Sequence, residues 1–164
     1  MKTLKDIISE KLNINEKLVI NKNIKINNYK YHPVDCKDLI KLLQKLIKQR
    51  GLNADLNDID TSKITDMSQL FSGFRHFNGD ISKWDVSNVK DMSYMFYNSV
   101  FNGDISGWDV SNVEDMTSMF AYSEFDCSNG DISIWNPRGH VITKNMFTAT
   151  PKQNWKNIPK WLKD

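Results

Sequence analysis

Phe77-Asn78-Gly79-Asp80-Ile81-Ser82 returns at Phe101-Asn102-Gly103-Asp104-Ile105-Ser106, and the match runs on through Trp84-Asp85-Val86-Ser87-Asn88-Val89 against Trp108-Asp109-Val110-Ser111-Asn112-Val113. It ends with Asp91-Met92 and Met95-Phe96 against Asp115-Met116 and Met119-Phe120. Self-similarity at a fixed period of this size constrains the fold more than any local propensity, because each unit must bury its apolar face against the next. A weaker copy precedes the pair and another follows it, so the units are 52–76, 77–100, 101–124 and 125–148. Degenerate outer copies are what capping positions require.

The repeat sorts its large side chains into columns. One holds Leu52, Phe77, Phe101 and Phe125; others hold Leu56, Ile81, Ile105 and Ile132, or Ile59, Trp84, Trp108 and Trp135. Leu70, Met95, Met119 and Met146 form a fourth, and Phe71, Phe96, Phe120 and Phe147 a fifth. These columns are expected to be core. Within a unit, Asn78-Gly79 marks a turn, Trp84 to Val89 alternates like a short strand, and Asp91 to Phe96 reads as one helical turn started by Asp91. The expected fold is an α/β repeat solenoid with a leucine-rich-repeat-like curl, one short strand and one short helical turn per unit of about 24 residues.

The string F-N-G-D-I-S-x-W-D-V-S-N-V-x-D-M-S-x-M-F resembles the repeat of the BspA-like leucine-rich-repeat surface proteins, a group catalogued as a mycoplasma-type lipoprotein domain of unknown function. That resemblance implies adhesion or protein binding. Surface members carry an export signal and a lipid-attachment cysteine. The N-terminal stretch here is interrupted by Lys5, Asp6, Glu10 and Lys11, and it has neither. A cytoplasmic or virion-associated location is therefore expected, or the cell surface if the resemblance to surface members holds. Met1 to Glu10 also resembles the short leader of internal proteins of T4-like phages, which is cut after an apolar-x-Glu motif such as Ile8-Ser9-Glu10 or Ile14-Asn15-Glu16.

Charge divides the chain in three. Residues 1–51 carry 12 Lys/Arg and 5 Asp/Glu, residues 52–148 carry 6 and 14, and residues 149–164 carry 4 and 1. The division predicts an N-terminal cap over 1–51, the four units over 52–148 and a C-terminal cap or tail over 149–164. In the first region Leu4, Ile7, Ile8 and Leu12 have helical spacing, Lys17 to Ile26 alternates like a hairpin, and Asp35 is placed to cap a helix ending at Arg50 before Gly51. In the tail, Trp155 and Trp161 are expected over the far end of the core. An acidic middle repels phosphate, so nucleic acid is not an expected partner. No apolar run approaches the roughly 18 residues of a membrane span.

No metalloprotease, nucleophile-elbow or phosphate-loop motif is present, and His32, His76 and His140 lie in unrelated contexts. Cys36 and Cys127 read as reduced thiols, Cys36 as a small residue at a helix start. The aspartate ladders Asp80/Asp104/Asp131, Asp60/Asp85/Asp109 and Asp66/Asp91/Asp115 invite comparison with calcium sites, but apolar residues separate the carboxylates. Capping of backbone N–H groups is the expected role, without Ca²⁺ or any other cofactor. Binding surfaces in repeat arrays lie where units differ. That singles out Tyr94, Tyr97, Asn98 and Tyr122, with Phe74 and Arg75. The functional reading is a non-enzymatic protein-interaction or adhesion module acting through an unidentified protein partner. The alternatives are a phage-encoded structural or packaged virion protein and an enzyme with an unrecognised site.

Overall fold

The computed structural model describes residues 29–151 and 155–162. The helix read over Thr3 to Leu12, the hairpin read over Lys17 to Ile26 and the leader motifs lie outside the described residues. The described chain begins at a short segment in which Tyr31 bridges Ile59 in parallel. Helix α1 follows over Cys36–Arg50, with Asp35 as N-cap, Asp38 in its first turn and Gly51 at its C-terminus, as the capping pattern predicts. Leu39, Leu43, Leu46 and Ile47 form its buried face. Arg50, at its last turn, clamps the first unit: its guanidinium meets both carboxylate oxygens of Asp58 at 2.9 and 2.8 Å and the Asp55 carbonyl at 3.0 Å.

The expected α/β repeat solenoid, with a strand and a helical turn in each unit, is overturned. Among the described residues α1 is the one α-helix, two short 3-10 turns lie at Trp155–Asn157 and Lys160–Leu162, and there is no strand. Parallel pairing is confined to isolated bridges such as Asp66 to Asp91, Asp91 to Asp115 and Asp115 to Ile142. The units are built from turns.

The backbone shows why. Tyr94 stands at φ 56°, and its counterparts Gln69, Ser118 and Asn145 stand at 57°, 52° and 59°. A left-handed residue in the middle of Asp91 to Phe96 stops a helix from propagating. Alternate N–H groups then leave the unit. Met92, Tyr94, Phe96 and Asn98 donate to the carbonyls of Asp115, Thr117, Met119 and Ala121 at 2.8–3.0 Å, while Met95 and Tyr97 close i to i+3 turns onto Met92 and Tyr94. The same row runs from Met67, Gln69 and Phe71 to the second unit, and from Met116, Ser118, Phe120 and Tyr122 to the fourth. The segment expected as a strand spends its amides inside its own unit: Trp84 donates to Ile81, Val89 to Val86, and Ser87 to the Asp85 carboxylate.

The apolar columns stack through the core. The rings of Phe71 and Phe96, Phe96 and Phe120, and Phe120 and Phe147 lie nearly parallel with centroids 5.2, 5.6 and 5.4 Å apart. Phe101 and Phe125 insert beside Phe96 and Phe120 at 4.3 and 4.1 Å. The tryptophans pin units together as well as filling space: the Nε1–H groups of Trp84, Trp108 and Trp135 donate back to the carbonyls of Leu56, Ile81 and Ile105 at 3.0–3.3 Å. Trp161 continues this column from the tail, donating to the Trp135 carbonyl at 2.7 Å, and Ile158 is buried beside it. Leu52 departs from its expected core place: it is 49% exposed, and the neighbouring Ala54 is buried instead. Asn78-Gly79 and Asn102-Gly103, expected to mark turns, are not turns; here the backbone lies against the Phe rings, so a Cβ at Gly103 would come within 2.8 Å of the Phe101 ring.

Replacement Trp108→Ala removes a side chain that is 4% exposed together with its inter-unit hydrogen bond. Urea unfolding is expected to show a loss of roughly 3–5 kcal/mol; a loss below about 1 kcal/mol would place this column outside the load of the core. A second expectation concerns acid. The hydrogen bonds from Arg50 hold the Asp58 carboxyl below the usual carboxylate range, against the opposing effect of its partial burial. The folded state thus binds this proton less readily than the unfolded chain. The pair's contribution is whole above the unfolded carboxylate value and drains away as pH falls below about 4. Asp58→Asn is expected to flatten that part of the stability profile, and an unchanged acid limb would show the pair to be without effect.

Candidate interaction surface

The aspartates set the local frame. Each residue of the three ladders accepts the N–H two positions on, as Asp80 does from Ser82 at 2.9 Å, Asp85 from Ser87 at 3.0 Å and Asp91 from Ser93 at 2.7 Å. Asp104, Asp109, Asp115 and Asp131 repeat the contact with Ser106, Ser111, Thr117 and Ser133, and Asp60 and Asp66 with Ser62 and Ser68. A carboxylate engaged in this way is worth about 1 kcal/mol to its turn. Among the described residues no group of three or more His, Cys, Asp or Glu side chains could hold a metal ion.

With the turns fixed, the left-handed residues Gln69, Tyr94 and Asn145 are exposed while their counterpart Ser118 is buried, and the residue two places beyond the Phe column is exposed. Tyr94 is 39% and Tyr122 56% exposed. Tyr97, half-buried, joins them: its ring meets Tyr94 edge-on at 5.7 Å and Tyr122 at 5.6 Å. The three tyrosines thus form one continuous row across the second and third units. Asn98 is exposed beside them at φ 52°, in the same column as Tyr122 at φ 59°. Backbone bonds from Tyr94, Asn98 and Tyr122 to the next unit hold the row in place.

The other two residues singled out by the sequence are placed differently. Phe74 packs edge-on against Phe71 at 6.2 Å and belongs with the core margin. Arg75 is exposed, and its carbonyl accepts the N–H of Val100. Val100, 37% exposed, is an apolar neighbour of Asn98 that the sequence reading passed over; its place in a variable segment was the available signal. Also unforeseen is a cleft of about 410 Å³ where α1 meets the segment before it, lined by Tyr31, His32, Pro33, Lys41, Leu42 and Lys45. At its edge His32 Nδ1 lies 3.1 Å from Asp60.

The thiols offer no nucleophile. Cys36 and Cys127 are both free. Burial pushes the Cys127 thiol up to about 12, and burial, with Asp66 and Asp35 adding, raises that of Cys36. Such thiols stay protonated at neutral pH. Among the described residues no helix is long and apolar enough to cross a membrane.

These features define a class: short turn-built units stacked through aromatic columns, with a row of tyrosines on the outside. The chain belongs to the family described as Mycoplasma protein of unknown function, DUF285, whose model matches residues 38–161. No curated protein matches it, and no solved structure does.

Because Tyr122 is more than half exposed and its backbone bond does not need the ring, Tyr122→Ser is expected to change unfolding free energy by less than about 1 kcal/mol. A larger loss in thermal or urea melts would make the row a structural element rather than a free surface.

Proposed function

We propose that this protein is a non-enzymatic protein-binding module and that the tyrosine row is its contact surface. The observation that carries the reading is the continuity of Tyr94, Tyr97 and Tyr122 on a backbone already fixed by inter-unit hydrogen bonds. Tyrosine offers large contact area with few rotatable bonds, and a rigid platform spares the ordering cost that a loop would incur on binding. Asn98 adds an adaptable polar contact at the margin, and Arg75 a charged one. The repeat's resemblance to the BspA-like surface proteins supports adhesion as the form this binding takes.

The test is affinity capture from the native source, with the wild-type chain and the doubly substituted Tyr97→Ser/Tyr122→Ser chain immobilised in parallel. A specific protein retained by the wild type should bind the variant at least about 30-fold more weakly, as loss of a hot spot of some 2 kcal/mol would produce. Equal retention by both chains would move the contact elsewhere. Failure of the wild type to retain any specific protein would count against the binding module itself.

A further inference from the structure

The three columns that carry the tyrosine row run through Tyr94, Tyr97 and Asn98. In none of the four units do they hold an Asp, Glu, Lys, Arg or His, although 26% of the chain is charged. Charge begins only at the margins, with Lys144 on one side and Arg75 and Glu124 on the other, all exposed. A charged group of a partner laid across these columns would give up water and meet no counter-charge, so the surface selects a segment that is itself without charge.

The backbone narrows the mode of contact. The N–H groups of Tyr94, Tyr97, Asn98, Ser118, Ala121 and Tyr122 all donate to carbonyls of the stack. A partner strand that binds through a ladder of main-chain bonds finds these donors already spent. An amphipathic helix seats its apolar face in a hydrophobic groove, but the residues around these rings include Ser, Thr, Asn and Gln. A polyproline II segment needs neither feature: it has no internal hydrogen bonds, its carbonyls face outward, and aromatic side chains receive it.

The rings suit such a segment in shape as well. Tyr97 meets Tyr94 at 60° and 5.7 Å, and Tyr122 at 70° and 5.6 Å, so a notch opens on either side of Tyr97. A surface touches two of the three edges of a polyproline II helix, and residues two apart lie on neighbouring edges about 6 Å along its axis. That advance is close to the step from ring to ring. The tyrosine hydroxyls and the Asn98 amide supply side-chain donors for carbonyls where the main chain offers none.

We propose that the tyrosine row binds an uncharged proline-rich segment in the polyproline II conformation, with pyrrolidine rings in the notches beside Tyr97 and carbonyls toward the tyrosine hydroxyls and Asn98. This rests on the tyrosine row being the contact surface and adds the kind of protein segment that it contacts.

Titration of the full chain with acetyl-decaproline amide, followed by amide NMR, tests this against an acetylated and amidated Ser-Gly decapeptide, which is neutral but flexible. The proline peptide should give saturable shifts at Tyr94, Tyr97, Asn98 and Tyr122, with an affinity that changes less than about two-fold between low and physiological salt. The Ser-Gly peptide should give none. Tyr122→Glu brings a charge into the row and should bind at least about ten-fold more weakly while still melting cooperatively; Tyr122→Phe keeps the ring and should stay within about three-fold. Asn98→Asp, which the left-handed backbone tolerates, is a second charged variant and should weaken binding as well. No shift at the row, equal binding of the Ser-Gly peptide, strongly salt-dependent binding or undiminished binding by the folded charged variants would overturn the proposal. So would maltohexaose, a neutral oligosaccharide, binding at the row where the proline peptide does not. If the proline peptide fails while a captured protein still depends on Tyr97 and Tyr122, the row stands as the contact surface and only the proline-rich ligand falls; if both fail, the binding surface falls with it.

Discussion

The structure depends on a carboxylate standing in for a backbone acceptor. A unit of about 24 residues that turns this often cannot satisfy its amides by helix or strand pairing alone. In each of the first three units three aspartates take the N–H two positions on, in the fourth Asp126 and Asp131 do, and i to i+3 bonds close the turns between them. Only then are alternate amides of the Met-Phe segment free to point together at the next unit. The stacked phenylalanines follow, because each ring's position is set by a backbone that repeats in register. Remove the aspartate and the turn loses an acceptor worth about 1 kcal/mol, but the unit also loses the orientation that lets its neighbours dock.

Pointing the amides together gives the stack a direction. Along the Met-Phe row every inter-unit bond has its donor in the earlier unit and its acceptor in the later one. The row therefore has a polarity: each unit presents N–H groups to the unit that follows it and carbonyls to the one before. Apolar closure is supplied separately at each end. The buried face of α1 and the Arg50 clamp serve the first unit, while Trp161 and Ile158 serve the last. Closing the core does not require closing the row.

The sequence made the columns legible because large apolar residues at a fixed spacing have few places to go. Phe77, Phe96, Trp108 and Met119 lie in the core where their spacing puts them, and the Asp35 cap and Gly51 terminus of α1 follow from local chemistry. The secondary structure was misread for a physical reason. Alternation of large apolar and small polar residues from Trp84 to Val89 reports which side chains face inward, and a succession of tight turns yields that alternation as readily as a strand does. The better signal was Asp-x-Ser, which recurs at Asp80, Asp85 and Asp91 and spells a side-chain-capped turn at each. Left-handed Tyr94 was harder to foresee, since the conformation favours Gly or Asn and is imposed on tyrosine only by the inter-unit bonds. Leu52 departs from its column: it is 49% exposed, and Ala54 is buried instead.

The candidate surface is also explained by that imposed conformation. Ordinarily a residue with positive φ must be small or polar, and a tyrosine there costs roughly 1–2 kcal/mol. Here Gln69, Tyr94, Ser118 and Asn145 occupy the same left-handed position, so residue type at that place is not dictated by the backbone. In three of the four units it is not dictated by the core either, because Gln69, Tyr94 and Asn145 are exposed there, whereas Ser118 is buried. A position held rigidly by its neighbours yet indifferent to its own side chain is where a repeat can vary without unfolding. Tyr94 and Tyr122 exploit two such positions in successive units, and Tyr97 closes the gap between them. The aromatic row is thus a consequence of the inter-unit hydrogen bonding: the bonds that keep the backbone in an unfavourable conformation are also those that release its outer side chains for another use.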